Sequence, residues 1–317
     1  MGDVVTTTGP KPSETLGITL THEHIFMDLV GGGRSRDKQN RNHMLNDLEL
    51  SRRELMLFKE AGGKTIVDLT SNGMKVSEDL LGTSHPLAIK DLALKTDLNI
   101  VLGTGWYTEP YYKNHIYQMT VNEIADELTN DFTHGIGNTD VRAGILGEIG
   151  SATTWVTPAE ERILRATARA QQQVGVAIAT HTSGWKVGLQ QLDILEEEGV
   201  DLRRVIIGHC QLYRNIEYHI EIAQRGAFIS LEGLGTTNDY EKETYAYMIK
   251  NIIDAGFIKQ LLLSHNVSLR EHYVAYGGKG YEYILTEAQS DSSFSLTEKQ
   301  FHQIMVDNPR RALSGDE

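Results

Sequence analysis

Short apolar runs alternate along the chain with longer amphipathic stretches. The runs cover residues 18–21, 65–69, 100–103, 143–146, 176–180, 205–207, 227–231 and 260–264. Most place β-branched or aliphatic side chains on consecutive positions, which is how strands buried on both faces read. Helix-like segments lie between them. Residues 46–61 carry Leu48, Leu55 and Leu57-Phe58 among charges. At Thr157-Pro158-Ala159-Glu160 a Thr cap, a Pro in the first helical position and a Glu in the third precede an amphipathic run to Gln173. Residues 188–198, 215–224 and 240–255 read likewise, and glycines punctuate the exits at Gly62-Gly63, Gly175, Gly199, Gly226 and Gly256. Residues 295–312 predict a closing helix pair broken at Asn308-Pro309.

Eight strand–helix units in about 300 residues predict a (β/α)8 TIM barrel, with residues 1–317 as one domain. The competing architecture is an open doubly wound sheet. It lacks support, because Gly103-Thr104-Gly105 is followed by Trp106 rather than by the rest of a dinucleotide-binding pattern. Gly31-Gly32-Gly33 is not followed by Gly-Lys-Ser/Thr and reads as a turn, not a phosphate loop.

Composition narrows the function. With 40% hydrophobic and 23% charged residues the chain has an ample core, and a formal net charge of −13 disfavours nucleic acid and anionic membranes as partners. The one cysteine, Cys210, excludes an intrachain disulfide framework and reads as a small buried hydrophobe, although it follows His209. Residues 1–10 show no cationic-then-apolar leader, and no run reaches the ~20 apolar residues of a membrane span. The expectation is a cytoplasmic protein with a small-molecule substrate, assembled as a homodimer.

In a barrel the chemistry sits at the C-terminal ends of the strands. The first run ends in His22 and His24, which share a face by the two-residue period. Later runs end in Glu148, His181, His209 and the Ser264-His265-Asn266 triplet. Any one strand-end histidine is an ordinary polar residue, and Glu148 alone could be a salt-bridged carboxylate. Four histidines and a glutamate in one topology suit two closely spaced ions: His22 and His24 on one, His181 and His209 on the other, Glu148 between. Ions about 3.5–4 Å apart can share a hydroxide and polarise a carbonyl or phosphoryl oxygen. Zinc fits this donor set first, with manganese, iron or cobalt compatible. His265 should face away and support the ligands from behind. Most of His43, His85, His115, His134, His219, His272 and His302 read as surface residues.

These residues resemble the phosphotriesterase family of the amidohydrolase superfamily. The resemblance runs from Gly9-Pro10 to Asp307-Asn308-Pro309-Arg310-Arg311 and includes the segment from Tyr276 to Tyr281. It implies the barrel and the metal site, but not the substrate, since the family spans phosphotriesterases, lactonases, esterases and amidases. Where many members bridge the ions with a carboxylated lysine, this chain has Glu148, as in the glutamate-bridged, phosphotriesterase-related branch. Where the family has an aspartate that binds the first metal and accepts the hydroxide's proton, this chain has Asn266. An amide oxygen can still meet a metal but cannot take that proton, and loss of a general base costs roughly 10²–10⁴-fold. Three explanations compete, in this order: an introduced Asp-to-Asn change, a natural variant with reduced or rerouted chemistry, or a binding protein that keeps the fold.

For the substrate, Trp106-Tyr107 and Pro110-Tyr111-Tyr112 offer an aromatic wall, with loop packing the even alternative. Arg270 offers a clamp for an anionic group, or else a surface ion pair. Lys279 and Tyr281 are similarly placed, and Thr182 and Trp185 follow His181. The expected activity is hydrolysis of a carboxylic ester, lactone or amide bearing an anionic group, by a metal-bridging hydroxide, impaired by Asn266. The alternatives are a phosphotriester hydrolase and a non-catalytic binding protein.

Overall fold

All eight apolar runs form strands, because each can bury both faces at once. They are β1 (Thr19–Glu23), β2 (Thr65–Asp68), β3 (Asn99–Thr104), β4 (Ile145–Gly150), β5 (Ile178–His181), β6 (Val205–Ile207), β7 (Phe228–Leu231) and β8 (Leu261–Leu263). Each pairs in parallel with its sequence neighbour in one eight-stranded sheet. The structure is a computed structural model and describes residues 2–30, 41–235 and 239–316; the glycine triplet 31–33 lies outside the described residues.

The ends of the sheet meet at the C-terminal rim. The His22 N–H donates to Ser264 Oγ at 3.0 Å and the Asn266 N–H to the His22 carbonyl at 3.1 Å. Glu23, fully buried between the two histidines, accepts the Ser264 hydroxyl and the His265 and Val267 N–H groups, each at 2.7 Å. One carboxylate thus fastens β8 to β1 where the candidate chemistry lies.

The two-residue strand period sorts the core into two layers. Val67, Leu69, Val101, Ile145, Ala179, Ile206 and Leu262 fill the barrel interior, together with Val4 and Leu16 from the N-terminal segment. The alternate residues, such as Ile66, Ile100 and Leu102, pack outward under the helices. Those helices are α1 (Leu48–Glu60), α2 (His85–Thr96), α3 (Val121–Thr133), α4 (Pro158–Val174), α5 (Val187–Glu197), α6 (Ile216–Gln224) and α7 (Asp239–Asp254), one after each of the first seven strands. α4 begins with the expected capping box and ends at Gly175 with φ +71°.

The closing segment differs from expectation. Glu298–His302 runs into a π turn at Gln303–Asp307 and on into Asn308–Ser314, with helical dihedrals at Gln303, Asp307 and Asn308. Pro309 does not break this run. Its missing N–H falls where the hydrogen-bond register already shifts by a residue. Two histidines read with the surface set are also buried. His85 Nε2 lies 3.1 Å from the Phe26 carbonyl, and His219 Nε2 lies 2.9 Å from that of Cys210, so both serve as packing donors. Cys210 is fully buried. Among the described residues no helix is long and apolar enough to cross a membrane.

Candidate metal centre

The two-residue period of β1 projects His22 and His24 from the rim with ring centroids 5.5 Å apart. Across from them Glu148, near the C-terminal end of β4, places its carboxylate among four imidazoles. Its Oε1 lies 2.5 Å from His181 Nδ1, 3.0 Å from His209 Nε2 and 3.5 Å from His22 Nε2, and its Oε2 lies 3.9 Å from His24 Nε2. All five residues are at most 6% exposed. The far nitrogens of the β1 pair have partners of their own. His24 Nδ1 is 3.0 Å from Thr70 Oγ1, and the Thr70 N–H donates to Asp68 Oδ1 at 2.8 Å. His22 Nδ1 is 3.2 Å from Glu232 Oε1. Three sets of ligand-type atoms lie within 4.8 Å of one another: His22–His24–Glu148, Glu148–His181–His209 and His22–His209–Glu232.

Burial and charge divide these groups. Burial would depress His22, but the carboxylates of Glu148 and Glu232 outweigh it and lift its pKa to about 9. At His24 burial wins, and with repulsion from neighbouring histidines it drives the pKa down to about 3. Glu148 is buried, yet His181 and His22 hold it well below the usual carboxylate range. The centre therefore keeps Glu148 ionised and His24 neutral, each able to donate a lone pair, while His22 holds a proton between Glu148 and Glu232 that a cation would displace.

The cluster fits a divalent cation on two observations. Asn266 Oδ1 is buried without a hydrogen-bond partner, a situation that costs about 1–3 kcal/mol unless something takes up the lone pair, and His22 Nε2 faces only the Glu148 carboxylate at 3.5 Å. The nitrogen and carboxylate donors are also those that bind such ions. Asn266 sits in the left-handed region at φ +52°, which asparagine tolerates.

A cavity of about 690 Å³ opens above the cluster. His24, Glu148, His181, His209 and Asn266 reach it, with Met27, Leu29, Tyr107 and Leu212 on its apolar walls. Tyr107 lines the cavity, its hydroxyl 3.5 Å from the His181 ring nitrogens. Other expected substrate contacts are elsewhere. Trp106 donates from Nε1 to Glu127 at 3.1 Å and lines a separate cavity with Lys75 and His115, because consecutive residues face opposite ways. Arg270 is turned back onto the segment after β1, donating to the Met44 carbonyl and Asn46 Oδ1 at 2.8 Å each, and does not line the main cavity. Tyr281 is fully buried and donates to the His24 carbonyl at 2.7 Å, so it props a site residue from behind. Lys279 pairs with Glu287, the Thr182 hydroxyl donates to the Gly208 carbonyl, and Trp185 stacks near Tyr213 with 59% of its surface exposed. His265 is buried behind the rim, its Nδ1 2.6 Å from the Leu234 carbonyl.

Two residues escaped the sequence reading. Glu232 directly follows β7, and the strand-end rule that picked out Glu148 would have found it. Arg214, five residues past His209, is the one lysine or arginine among the described residues that line the cavity. Nothing in the local pattern distinguishes it from other loop arginines.

A parallel eight-stranded barrel with histidines and carboxylates gathered at its C-terminal rim defines a (β/α)8 protein equipped to hold metal ions. The chain belongs to the phosphotriesterase family, whose profile matches residues 2–313. It is 32% identical over 270 residues to the phosphotriesterase homology protein of Escherichia coli, covering 85% of this chain and 88% of that one. It is 27% identical over 375 residues to the N-acetyltaurine hydrolase of Dictyostelium discoideum, covering 99% and 98%. Among solved structures it is similar to a resiniferatoxin-binding protein from Rhodobacter sphaeroides, with a TM-score of 0.90, 28% identity and coverage of 99% and 95%.

Proposed function

We propose that the chain is a two-metal hydrolase of a carboxylic ester, lactone or amide that carries an anionic group. The observation that carries this reading is the single carboxylate of Glu148 lying within 4 Å of four imidazoles, beside the buried and unpartnered Oδ1 of Asn266. His22, His24 and Asn266 would hold one ion, His181 and His209 the other, with Glu148 shared and zinc the first candidate. Bound ions of this kind supply Lewis acidity, activating water and polarising the scissile carbonyl. The chain's own residues do the rest. Tyr107 presents a hydroxyl beside His181 for hydrogen bonding to the substrate. Met27, Leu29 and Leu212 exclude water around the acyl portion. Arg214, rather than Arg270, takes the anionic group, since its charge borders the cavity. The N-acetyltaurine hydrolase relative supports the choice of an amide with an acidic terminus. Asn266 cannot accept a proton in its amide form, which makes this chain slow at the step a carboxylate would serve.

The test compares the metal-loaded protein with its Asn266→Asp variant on ester, lactone and amide panels, each with anionic and neutral members. The expected outcome is a kcat higher by roughly 10²–10⁴-fold in the Asp form. Arg214→Ala should raise KM for the anionic members alone. No turnover by the loaded Asp form on any panel sinks the hydrolase reading and leaves a binding protein on this fold, as the resiniferatoxin-binding neighbour suggests. A phosphotriester cleaved faster than every carboxyl substrate would move the reading to phosphoryl chemistry.

A further inference from the structure

Glu232 is fully buried and faces two of the imidazoles from behind. Its Oε1 is 3.2 Å from His22 Nδ1. Its Oε2 accepts the backbone N–H of His209 and stands 3.8 Å from His209 Nδ1. The residue is itself fixed: its N–H donates to Gln211 Oε1 at 3.1 Å, and its carbonyl accepts the Tyr245 hydroxyl. We propose that Glu232 is a positioning residue that orients one ligand of each metal position, so that both are weakened together when it is lost. This inference rests on the two-metal reading above.

A neutral imidazole has one bare nitrogen and one N–H, and a metal needs the bare one. When a metal displaces a proton from His22, the carboxylate beside Nδ1 would keep the remaining proton on that nitrogen and leave to the metal Nε2, which faces Glu148 at 3.5 Å. At His209 the same carboxylate acts through the main chain. His209 sits at φ +56°, a left-handed conformation that a non-glycine residue keeps only when its surroundings hold it there. The bond from its N–H to Glu232 holds it there and aims Nε2 at Glu148, 3.0 Å away. His24 has separate support from Thr70, and His181 meets Glu148 directly. Glu232 therefore reaches across both halves of the centre, whereas Asn266 serves the His22/His24 half alone.

Glu232→Gln offers one acceptor and one amide donor where two acceptors stood. If its oxygen serves the His209 N–H, its amide faces His22 Nδ1 and reverses the tautomer, closing Nε2 to a metal. If it serves His22, the His209 backbone loses its acceptor. The experiment titrates cobalt(II) into metal-free full-length protein, with affinity read by competition against a chromophoric chelator and geometry by the visible cobalt spectrum. Wild type should take up about two equivalents. Glu232→Gln should bind both about 10–100-fold more weakly with an altered spectrum, and Asn266→Ala should weaken one equivalent only. Glu232→Asp keeps the charge at shorter reach and should fall between; it is the variant read if the Gln form does not fold. Two tight equivalents in the Glu232 variants, or loss confined to one, overturns the proposal and leaves the hydrolase reading standing. A wild type that binds no cobalt overturns both.

Discussion

Asp68 shows how a single side chain ties the site to its surroundings. Burial pushes its carboxyl up to about 6, against hydrogen bonds from Thr70 and Ile25 that favour the charged form. The folded chain thus keeps a proton that the unfolded chain releases near the ordinary carboxylate value of 3.8. Its contribution to stability is full below the unfolded pKa and is lost as pH rises through the folded one. The loss is on the order of 3 kcal/mol, accumulating between about pH 4 and pH 6. Urea denaturation of metal-free protein across that range should show the decline, and Asp68→Asn should flatten it. Equal slopes in both proteins would remove Asp68 from the account. The residue scale also shows what the sequence makes legible. His22, His24, Glu148, His181 and His209 could be found because a strand end is a local property. The side chains of Trp106, Arg270 and Tyr281 could not be aimed, because loop direction is set by distant partners such as Glu127, Met44 and the His24 carbonyl.

At the scale of elements, α4 carries the clearest signal and a consequence beyond its own helix. Thr157 Oγ1 accepts the Glu160 N–H at 3.2 Å, and Glu160 reaches back to the Thr157 N–H at 3.1 Å. The same Glu160 also accepts the Ala152 N–H at 2.8 Å, so the cap anchors the loop that leaves β4 just beyond Glu148. Thr157→Ala should cost about 1 kcal/mol of stability, read as a lower denaturation midpoint at unchanged denaturant dependence. An unchanged midpoint would mean that Glu160 alone suffices. The capping box was legible because its four residues are consecutive. The unbroken run through Pro309 was not, because a π turn has no sequence signal comparable to the proline beside it.

Across the whole molecule, the ring of strands is closed at one place by a carboxylate. Glu23→Gln leaves one acceptor for donors that now share two oxygens, the Ser264 hydroxyl and the His265 and Val267 N–H groups. Amide hydrogen exchange at His265 and Val267 should accelerate in that variant, with β4 to β6 protected as before. Uniform acceleration around the barrel would show that Glu23 supports the fold generally rather than this junction. The barrel was legible from the alternation of strand-like and helix-like segments. The closure was not, since it depends on residues some 240 positions apart.

The junction at Glu23 would also make ion binding and barrel closure reciprocal under the two-metal reading proposed above. Glu23 lies between His22 and His24 in sequence and holds the segment that carries Asn266, so a cation gripped by those residues would favour the closed ring, and the closed ring the cation. Thermodynamic linkage makes the two effects equal in size: a ligand present at 100 times its dissociation constant adds about 2.7 kcal/mol to the state that binds it. A chelator would then act as a mild denaturant directed at one junction, and the metal content of the protein would report whether its barrel is shut.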